Sequence, residues 1–219
     1  MKKIIFSCLV LIFTNTFAQG TVGTPTTEGF LEKVFINGLG TSFKYEEISG
    51  SAYINKNFQT SIIAKDYAPI EARYNTYADQ IEFQQNNNIY ILPKEDKFSR
   101  IKFSKSNEIL VLLTINEKLG YFFELYKADS RSLLKKVSTK VNVPEKSKNS
   151  YASDDTSPSF VTTNTYFIGI GENFFEVPNK RKRIYDLFPE KKKELESKVK
   201  LNNIDINSDA GLIKLLTFL

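Results

Sequence analysis

The sequence contains no histidine and no tryptophan, and its only cysteine is Cys8. Without histidine the chain has no imidazole to serve as a general base near neutral pH or as a zinc ligand. A single thiol forms neither an intramolecular disulfide nor a cysteine pair for redox or metal chemistry. These absences exclude Ser–His–Asp and Cys–His hydrolases and zinc metalloproteases. We expect no cofactor, and an enzyme built from this chain would depend on carboxylates, a Ser–Lys pair, tyrosine or an oxygen-bound metal.

Long apolar runs are also scarce, and the longest stands near the N-terminus. Two lysines precede the run Ile4–Phe13, and a short polar segment then ends at Ala18, a small residue. A basic segment, a short apolar segment and a small residue, in this order, are typical of a secretory signal peptide. A membrane-spanning helix needs roughly 20 apolar residues, about twice the length of this run. The sequence predicts a cleaved signal peptide over residues 1–18 and a mature chain that begins at Gln19, with no transmembrane span.

Export would change the composition of the mature chain. Cleavage would remove Cys8, so the mature protein would have no disulfide, although exported proteins often contain them. A lipoprotein acylated at Cys8 is the alternative, but the apolar segment Leu9–Phe13 follows the cysteine where a lipoprotein has a polar tether. We therefore predict an exported protein of the periplasm, the extracellular space or the cell surface, stabilised by an ordinary hydrophobic core.

Charge of neither sign dominates the chain as a whole. The formal net charge of +5 falls to about +3 when Lys2 and Lys3 leave with the signal peptide. This balance lacks the strongly basic character of a nucleic-acid-binding protein, so we expect no nucleic-acid partner. Phenylalanine and tyrosine are plentiful, with 18 and 11 copies, and they supply the side chains for a large core.

Positive charge is concentrated near the C-terminus. Between residues 180 and 200 the local charge is about +5, which exceeds the net charge of the mature chain. Such a face can contact anionic lipid head groups or an acidic polymer. The alternative is a solvated helix surface whose glutamates pair with lysines four residues away. The residues assigned to an anionic-surface contact are Lys180, Arg181, Lys182, Arg183, Lys191, Lys192 and Lys193.

Short runs of β-branched and aromatic residues recur along the central part of the chain, separated by turn-forming residues. The gaps between them are too short for the crossover helices that parallel strands require. The sequence predicts an α+β fold that is mainly β, with an antiparallel meander sheet that can be curved or form a half-barrel. The predicted strands are Thr60–Ala64, Glu71–Thr76, Gln80–Gln84, Ile89–Leu92, Arg100–Phe103, Ile109–Thr114, Tyr121–Tyr126, Leu133–Val143, Thr163–Ile168 and Asn173–Val177.

The same patterns divide the mature chain into three parts. Residues 19–29, rich in glycine, threonine and proline, predict a disordered lead-in, and residues 30–178 predict the antiparallel β domain. Inside this domain, residues 144–159 are rich in proline, serine, lysine and aspartate and predict a surface loop. Residues 179–219 predict a helical C-terminal segment that packs on the sheet.

The C-terminal segment changes from the period of a strand to that of a helix. Ser208 or Asp209 is a suitable N-cap, because its side-chain oxygen can accept a hydrogen bond from a free backbone N–H group. We predict two or three short helices, the last of which carries leucines at helical spacing, namely Leu212, Leu215, Leu216 and Leu219.

Motifs with catalytic or metal-binding spacing have structural explanations here. The spacing S-x-x-K occurs at Ser99, Ser132 and Ser197, about as often as chance predicts for a chain with this many serines and lysines. The first two matches also overlap predicted strands, where residues three apart point to opposite faces. Acidic and amide residues from Asn203 onward resemble part of a calcium loop, yet no glutamate stands at its twelfth position. We therefore assign no catalytic, cofactor-binding or metal-binding residue.

One segment carries a resemblance to a known group. Residues 73–83 read R-Y-N-T-Y-A-D-Q-I-E-F, and the pattern R-Y-N-x-Y-x-D-x-I-E-F resembles a segment that recurs in uncharacterised secreted proteins of Bacteroidota. In that group short strands and a lysine-rich helical tail follow the segment, so the resemblance extends over most of the mature chain. The resemblance implies an envelope or extracellular location and a β-rich body, and it implies no activity.

These observations predict an exported cell-envelope protein that acts as a non-enzymatic binding or scaffolding module. The first alternative is a periplasmic carrier of an apolar small molecule or lipid, because a curved sheet can enclose a pocket. The second alternative is a carboxylate-dependent hydrolase, which needs two carboxyl groups across a cleft. Partners consistent with these hypotheses are an envelope protein, an anionic lipid surface and an apolar ligand.

Overall fold

A computed structural model describes residues 24–25, 33–35, 42–143 and 157–219. The predicted signal peptide lies outside the described residues. So do most of the predicted lead-in and most of the predicted loop at 144–159.

Antiparallel strands make up nearly half of the described chain, about twice the share of the helices, which confirms the prediction of a mainly β fold with an antiparallel sheet. Each of the ten predicted strands is present; Arg100–Phe103 has the predicted ends, and the ends of the others differ by a few residues. The thirteen strands are β1 (Thr24–Pro25), β2 (Lys33–Phe35), β3 (Ser42–Lys44), β4 (Gln59–Ile62), β5 (Ile70–Asn75), β6 (Gln80–Gln85), β7 (Asn88–Ile91), β8 (Arg100–Phe103), β9 (Ile109–Ile115), β10 (Lys118–Ala128), β11 (Arg131–Asn142), β12 (Ser159–Ile170) and β13 (Asn173–Glu176).

The main sheet joins two meanders, β4 to β7 and β8 to β13, through a pairing between β4 and β8. The connection from β7 to β8 crosses the first meander and contains a short 3-10 helix, Asp96–Phe98. Two-residue β1 extends the β7 edge, and β2 and β3 form a separate hairpin. The sheet is not closed, since β1 and β13 are its terminal strands in the described chain.

Tight turns connect several strands. The β6–β7 hairpin turns at Asn86 and Asn87, whose φ angles are 50° and 62°. The β9–β10 hairpin turns at Asn116 and Glu117, with φ angles of 51° and 63°. Two consecutive positive φ angles define the type I′ turn, whose twist matches that of the flanking strands.

The sheet curls so that the β5–β6 turn meets β10 and β11, although β4, β8 and β9 separate these strands in the sheet order. The amide of Thr139 donates to the carbonyl oxygen of Thr76 at 3.1 Å, and the two hydroxyl groups lie 2.6 Å apart. The amide of Tyr121 donates to Asp79 Oδ1 at 3.3 Å. These contacts hold the curvature of the sheet.

The curled sheet encloses the main core. In β8, Ile101 and Phe103 are buried whereas Arg100 and Lys102 are exposed, as the alternating sequence predicts. Burial of each large apolar side chain contributes about 1.5–3 kcal/mol. The core residues are Ile63, Ala72, Tyr74, Ile81, Phe83, Leu92, Phe98, Ile101, Phe103, Leu110, Leu112, Tyr121, Phe123 and Val137.

Three short helical segments follow the sheet, as predicted. A 3-10 helix, Arg181–Leu187, comes first; a second helix starts as a 3-10 turn at Pro189 and continues as α1 (Lys192–Leu201). The last is α2 (Asp209–Leu216), whose N-cap Ser208 accepts a hydrogen bond from the amide of Gly211 at 3.0 Å. Among the described helices, none is both long and apolar enough to cross a membrane.

The helices cover one end of the same face of the sheet that carries the main core. Leu133 of β11 and Ile168 of β12 are fully buried beneath them. Leu212, Leu215 and Leu216 of α2 are also fully buried, so the leucine spacing predicted the packed face of this helix correctly. Leu219, the fourth leucine of that pattern, is half-buried.

Candidate functional site

The segment Arg73–Phe83 supplies polar side chains to two separate networks inside the molecule. It contains the end of β5, the β5–β6 turn and the first part of β6. Because neighbouring residues of a strand point to opposite faces, Arg73 and Asn75 lie on one face and Tyr74 on the other. The segment Arg73–Phe83 therefore contributes polar contacts at two separate places in the described chain.

The first network surrounds Glu82, whose side chain is fully buried. Arg73 Nε donates to Glu82 Oε2 at 2.7 Å, and Asn75 Nδ2 donates to Glu82 Oε1 at 2.8 Å. The hydroxyl group of Tyr53 donates to the carboxylate from 3.2 Å. A buried carboxylate is stable when it is paired and hydrogen-bonded in this way.

The guanidinium group of Arg73 is held by aromatic rings as well as by Glu82. Its Cζ lies 4.1 Å from the ring centre of Tyr53 and 4.5 Å from that of Phe58, and such stacking attracts a cation electrostatically. Arg73 Nη1 also donates to the carbonyl oxygen of Lys56 at 3.1 Å. The network thus fixes the segment that leads into β4 against β5 and β6.

The second network surrounds Asp79 in the β5–β6 turn. Tyr74 donates its hydroxyl hydrogen to Asp79 Oδ1 at 2.6 Å, and Lys136 Nζ donates to the same oxygen at 2.5 Å. Lys94 Nζ donates to Asp79 Oδ2 at 2.8 Å. Since donors engage both oxygens, Asp79 is a structural acceptor that connects the turn to β11 and to the segment after β7.

The charges in this network shift one another's pKa values. Burial alone would raise the pKa of Asp79, but hydrogen bonds from Lys136, Lys94 and Tyr74 outweigh burial and hold that pKa below its ordinary value. Burial lowers the pKa of Lys136, against the effect of Asp79. Burial and the negative charge of Asp79 raise the pKa of the Tyr74 phenol far above its usual range.

A glycine makes room for this ion pair on the face of β10 that points away from the main core. A Cβ atom at Gly120 would lie 2.9 Å from Asp79 Oδ2 and 2.9 Å from Lys136 Nζ. Any larger residue would push both charged groups away from the strand. Gly120 therefore allows Lys136 and Asp79 to meet above β10.

An open groove of about 1010 Å³ begins beside this ion pair, on the face of β9–β12 opposite the main core. Its polar end is formed by the β5–β6 turn and β11, and its apolar part by β9, β10 and β12. The lining residues are Thr76, Tyr77, Asp79, Ile115, Asn116, Lys118, Leu119, Gly120, Phe122, Lys136, Ser138, Thr139, Lys140 and Phe167.

The floor of the groove is apolar. Phe122 and Phe167 meet edge to face, with ring centres 5.6 Å apart and ring planes at 87°. They belong, with Ile115, to a second cluster of buried residues on this face of the sheet. Leu119 stands at the rim with 47% of its surface exposed. An apolar group in the groove would therefore contact a ready-made aromatic surface.

The rim of the groove is basic. Lys118 and Lys140 are exposed, and neither forms an ion pair with another residue of the described chain. The one carboxylate in the lining, Asp79, is neutralised by Lys136 and Lys94. The arrangement offers an apolar floor to one end of a ligand and two cations to an acidic group at its other end.

The seven basic residues that the sequence assigned to an anionic surface differ in their surroundings. Arg181 is half-buried, with its guanidinium group 4.5 Å from the ring centre of Tyr166. Arg183 and Lys192 pair with Asp186 at 3.6 Å and 2.7 Å, and Lys191 Nζ donates to the backbone oxygen of Leu219 at 2.6 Å. Within the described ranges Lys180, Lys182 and Lys193 are exposed and make no ion pair.

A smaller polar cluster connects these helices to the sheet. The hydroxyl group of Tyr166 donates to Asp209 Oδ1 at 2.7 Å, and Lys135 Nζ lies 3.4 Å from Asp209 Oδ2. Burial, together with the hydrogen bond to Asp209, raises the pKa of Tyr166 to about 12. The cluster anchors the first turn of α2 on β11 and β12.

The other motifs take part in ordinary structure. Ser132 and Lys135 point to opposite faces of β11, as expected for a strand. Asp205 Oδ1 accepts hydrogen bonds from the amide and side chain of Asn207, which forms the turn before α2. Over the described ranges no group of three acidic side chains is arranged to hold a metal ion.

No family model, no curated protein and no solved structure matches this chain. A function for the candidate site is therefore inferred from its geometry alone.

Sequence patterns did not identify this groove. Its residues come from four separate strands and two turns, and each of them alone has an ordinary local role. The signal that could have pointed to it is the pair of exposed lysines, Lys118 and Lys140, which lie on the same face of their strands as the buried Phe122 and Leu134.

Proposed function

We propose that this chain is an exported, non-enzymatic binding module of the cell envelope and that the groove above β9–β12 is its ligand site. The observation that carries the proposal is the combination of the aromatic floor at Phe122 and Phe167 with the exposed cations Lys118 and Lys140. Export is supported by the pattern of residues 1–18 alone.

The groove favours an elongated ligand with an apolar body and an acidic group. Its volume of about 1010 Å³ is at the upper end of the range for small-molecule sites, which is roughly 300–1,000 Å³. The apolar body would cover the floor, and the acidic group would stand beside the lysines of the rim. This ligand class brings the binding module close to the alternative of a lipid carrier.

The packing of the core favours a ligand site in the surface groove rather than in an internal cavity. A carrier with an internal cavity would leave aromatic residues of the concave face around an empty space. Here Tyr74, Phe103, Tyr121 and Phe123 are buried in the main core, and Tyr74 meets Phe123 with ring centres 5.9 Å apart. The groove on the opposite face is the better candidate for a carrier as well.

The buried carboxylates support a non-enzymatic role. A carboxylate-dependent hydrolase needs one carboxyl group free to hold a water molecule or attack a substrate. Asp79 accepts hydrogen bonds from two lysines and a tyrosine, and Glu82 accepts from arginine, asparagine and tyrosine. Because these donors engage both carboxylates, neither carboxylate is free to hold a water molecule or to attack a substrate.

A single tryptophan tests ligand binding without background, because the chain contains no tryptophan of its own. Leu119→Trp places the reporter at the rim, where the leucine is already half exposed. Titration with monomeric oleate should shift the emission of this reporter to shorter wavelength and reach saturation. Adding Lys118→Glu and Lys140→Glu should weaken the affinity by about tenfold, since each change replaces attraction by repulsion.

A matched control separates the groove from general adsorption. Ile62 of β4 is exposed to a similar degree, 42% against 47% for Leu119, and it does not line the groove. Ile62→Trp should give no saturable response to oleate. An equal response of both reporters, or none from Leu119→Trp, would contradict a ligand site in the groove.

A further inference from the structure

β12 has an open stretch of backbone along one edge. Its twelve residues, Ser159–Ile170, pair with β11 along their whole length without a break in register. On the other edge, β13 pairs with Phe167–Ile170 only, and Ser49 forms a single parallel bridge with Ser159. Between these two contacts the edge of β12 has no strand partner in the described chain.

Hydrogen bonds at both ends of the stretch show which backbone groups point outward. The amide of Phe160 donates to the carbonyl oxygen of Ser49 at 2.8 Å, and the carbonyl oxygen of Tyr166 accepts from the amide of Val177 at 2.8 Å. Every second residue of a strand directs its backbone groups to the same edge. Thr162 and Asn164 therefore point their N–H and C=O groups outward, and both residues are exposed.

Within the described ranges, the open stretch has none of the features that usually protect a sheet edge. Natural edges are shielded by lysine, proline, bulges or a covering element. Ser159–Ile170 contains no charged residue and no proline, and its register with β11 has no bulge. Val161 and Thr163 add the β-branched side chains that favour extended pairing.

We infer that the edge of β12 at Val161–Thr165 binds an extended segment of a partner protein by strand addition. The segment would form the next strand of the sheet, with its backbone bonded to Thr162 and Asn164. Since this stretch is uncharged, the segment it fits is uncharged as well, with apolar residues at alternate positions.

A shallow pocket explains why alternate apolar residues would fit. A cavity of about 270 Å³ lies on the helix-bearing face beside the open edge, and Thr162 and Asn164 are part of its lining. Ile54, which is 51% exposed, and Val137 are among its apolar lining residues, and Glu108, Glu124 and Lys135 also line it. Every second side chain of an added strand would point toward this face.

A second copy of this chain fits the edge less well than a free segment does. In an antiparallel self-pairing centred on Thr163, Phe160 of one copy would lie opposite Tyr166 of the other. Ser49 occupies the edge at Phe160, and Val177 occupies it at Tyr166. In the self-pairing, Ser49 of one copy and Val177 of the other would both lie in the single space of about 4.8 Å between the two β12 strands. That space has no room for an additional chain. A short extended segment avoids this clash.

Amide hydrogen exchange measured by NMR on the mature protein tests the inference directly. The probe is the peptide acetyl-Thr-Val-Thr-Val-Thr-Val-amide at concentrations where it is monomeric. We expect exchange of the Thr162 and Asn164 amides to slow by about tenfold or more, since a new hydrogen bond protects each N–H group. The amides of Val161 and Thr163, which face β11, should be unchanged.

Two controls isolate backbone pairing. The same peptide with N-methyl groups on its three valines loses the donors of one edge, while an isomer methylated on its threonines loses those of the other edge. One isomer should retain the effect and the other should lose it. Asn164→Pro removes one outward N–H group at an edge position where proline is tolerated, and it should abolish protection at Thr162.

Three results would overturn the inference. The first is unchanged exchange at Thr162 and Asn164 at saturating peptide. The second is equal protection by both methylated isomers, which would indicate side-chain adsorption. The third is protection of these amides without peptide, either rising with protein concentration, which assigns the edge to a second copy, or independent of it, which assigns the edge to the chain itself.

Discussion

At the scale of single residues, the polar members of the segment Arg73–Phe83 fix the curvature of the sheet. Asp79 connects the β5–β6 turn with β11 through Lys136, and Glu82 connects β5 and β6 with the segment before β4 through Arg73 and Tyr53. These two networks give the polar residues of this segment a structural role. They place Thr76, Tyr77 and Asp79 at the end of the groove.

Asp79→Asn should destabilise the protein by about 2 kcal/mol, because it leaves Lys136 partly buried without its anionic partner. Urea unfolding followed by circular dichroism measures the difference. Asp129→Asn is the matched control, since Asp129 is 87% exposed and lies 3.8 Å from Arg131. Its effect should stay below about 0.5 kcal/mol. Equal effects of the two substitutions would show that the Asp79 network does not hold the turn.

The Asp79 network also predicts a dependence of stability on pH. The pKa of Asp79 is held below its ordinary value in the folded protein, so the folded state binds the proton less readily than the unfolded state does. The stabilisation is complete above the unfolded pKa of about 3.9 and is lost as the pH falls through the lower folded value. The difference in unfolding free energy between the wild type and Asp79→Asn should therefore shrink below about pH 4.

At the scale of elements, the sequence predicted most of the sheet because its signals are local. Alternation in β8 and turn residues such as Asn86 and Asn87 act over a few positions. The pairing of β4 with β8 joins residues far apart in the sequence, and no local pattern specifies it. For the same reason the groove was not predicted, since its floor combines Phe122 with Phe167.

Replacing Gly211 by alanine should lower the stability of the protein, although helix propensity alone predicts a higher stability. Alanine is normally the better helix former by about 1 kcal/mol. A Cβ atom at Gly211 would clash with the carbonyl oxygen of Asp205, which belongs to the backbone and has little freedom to move. We expect Gly211→Ala to lower the stability by about 1–3 kcal/mol in urea unfolding.

Ser197→Ala is the control for this substitution. Ser197 is exposed on α1, so alanine should leave stability unchanged or raise it by about 0.5 kcal/mol through propensity alone. Stabilisation by both substitutions would show that α2 does not approach Asp205 as closely as described.

At the scale of the whole molecule, β12 takes part in three surfaces. Phe167 forms part of the floor of the groove, Ile168 lies beneath the helices, and Thr162 and Asn164 carry the open backbone groups. A ligand in the groove and a strand at the edge would therefore contact the same long strand from different sides. This arrangement suits a module that binds a small amphipathic molecule and a partner protein.

The most direct test of the proposed binding module is the native mass of the mature protein, purified from the envelope of its host and measured before and after denaturation. We predict an additional mass that denaturation releases into organic extract. Lys118→Glu/Lys140→Glu should reduce this cargo, whereas the matched exposed pair Lys102→Glu/Lys105→Glu should retain it. A bare polypeptide that acquires no cargo from a lipid extract, or equal cargo in both variants, would contradict the account.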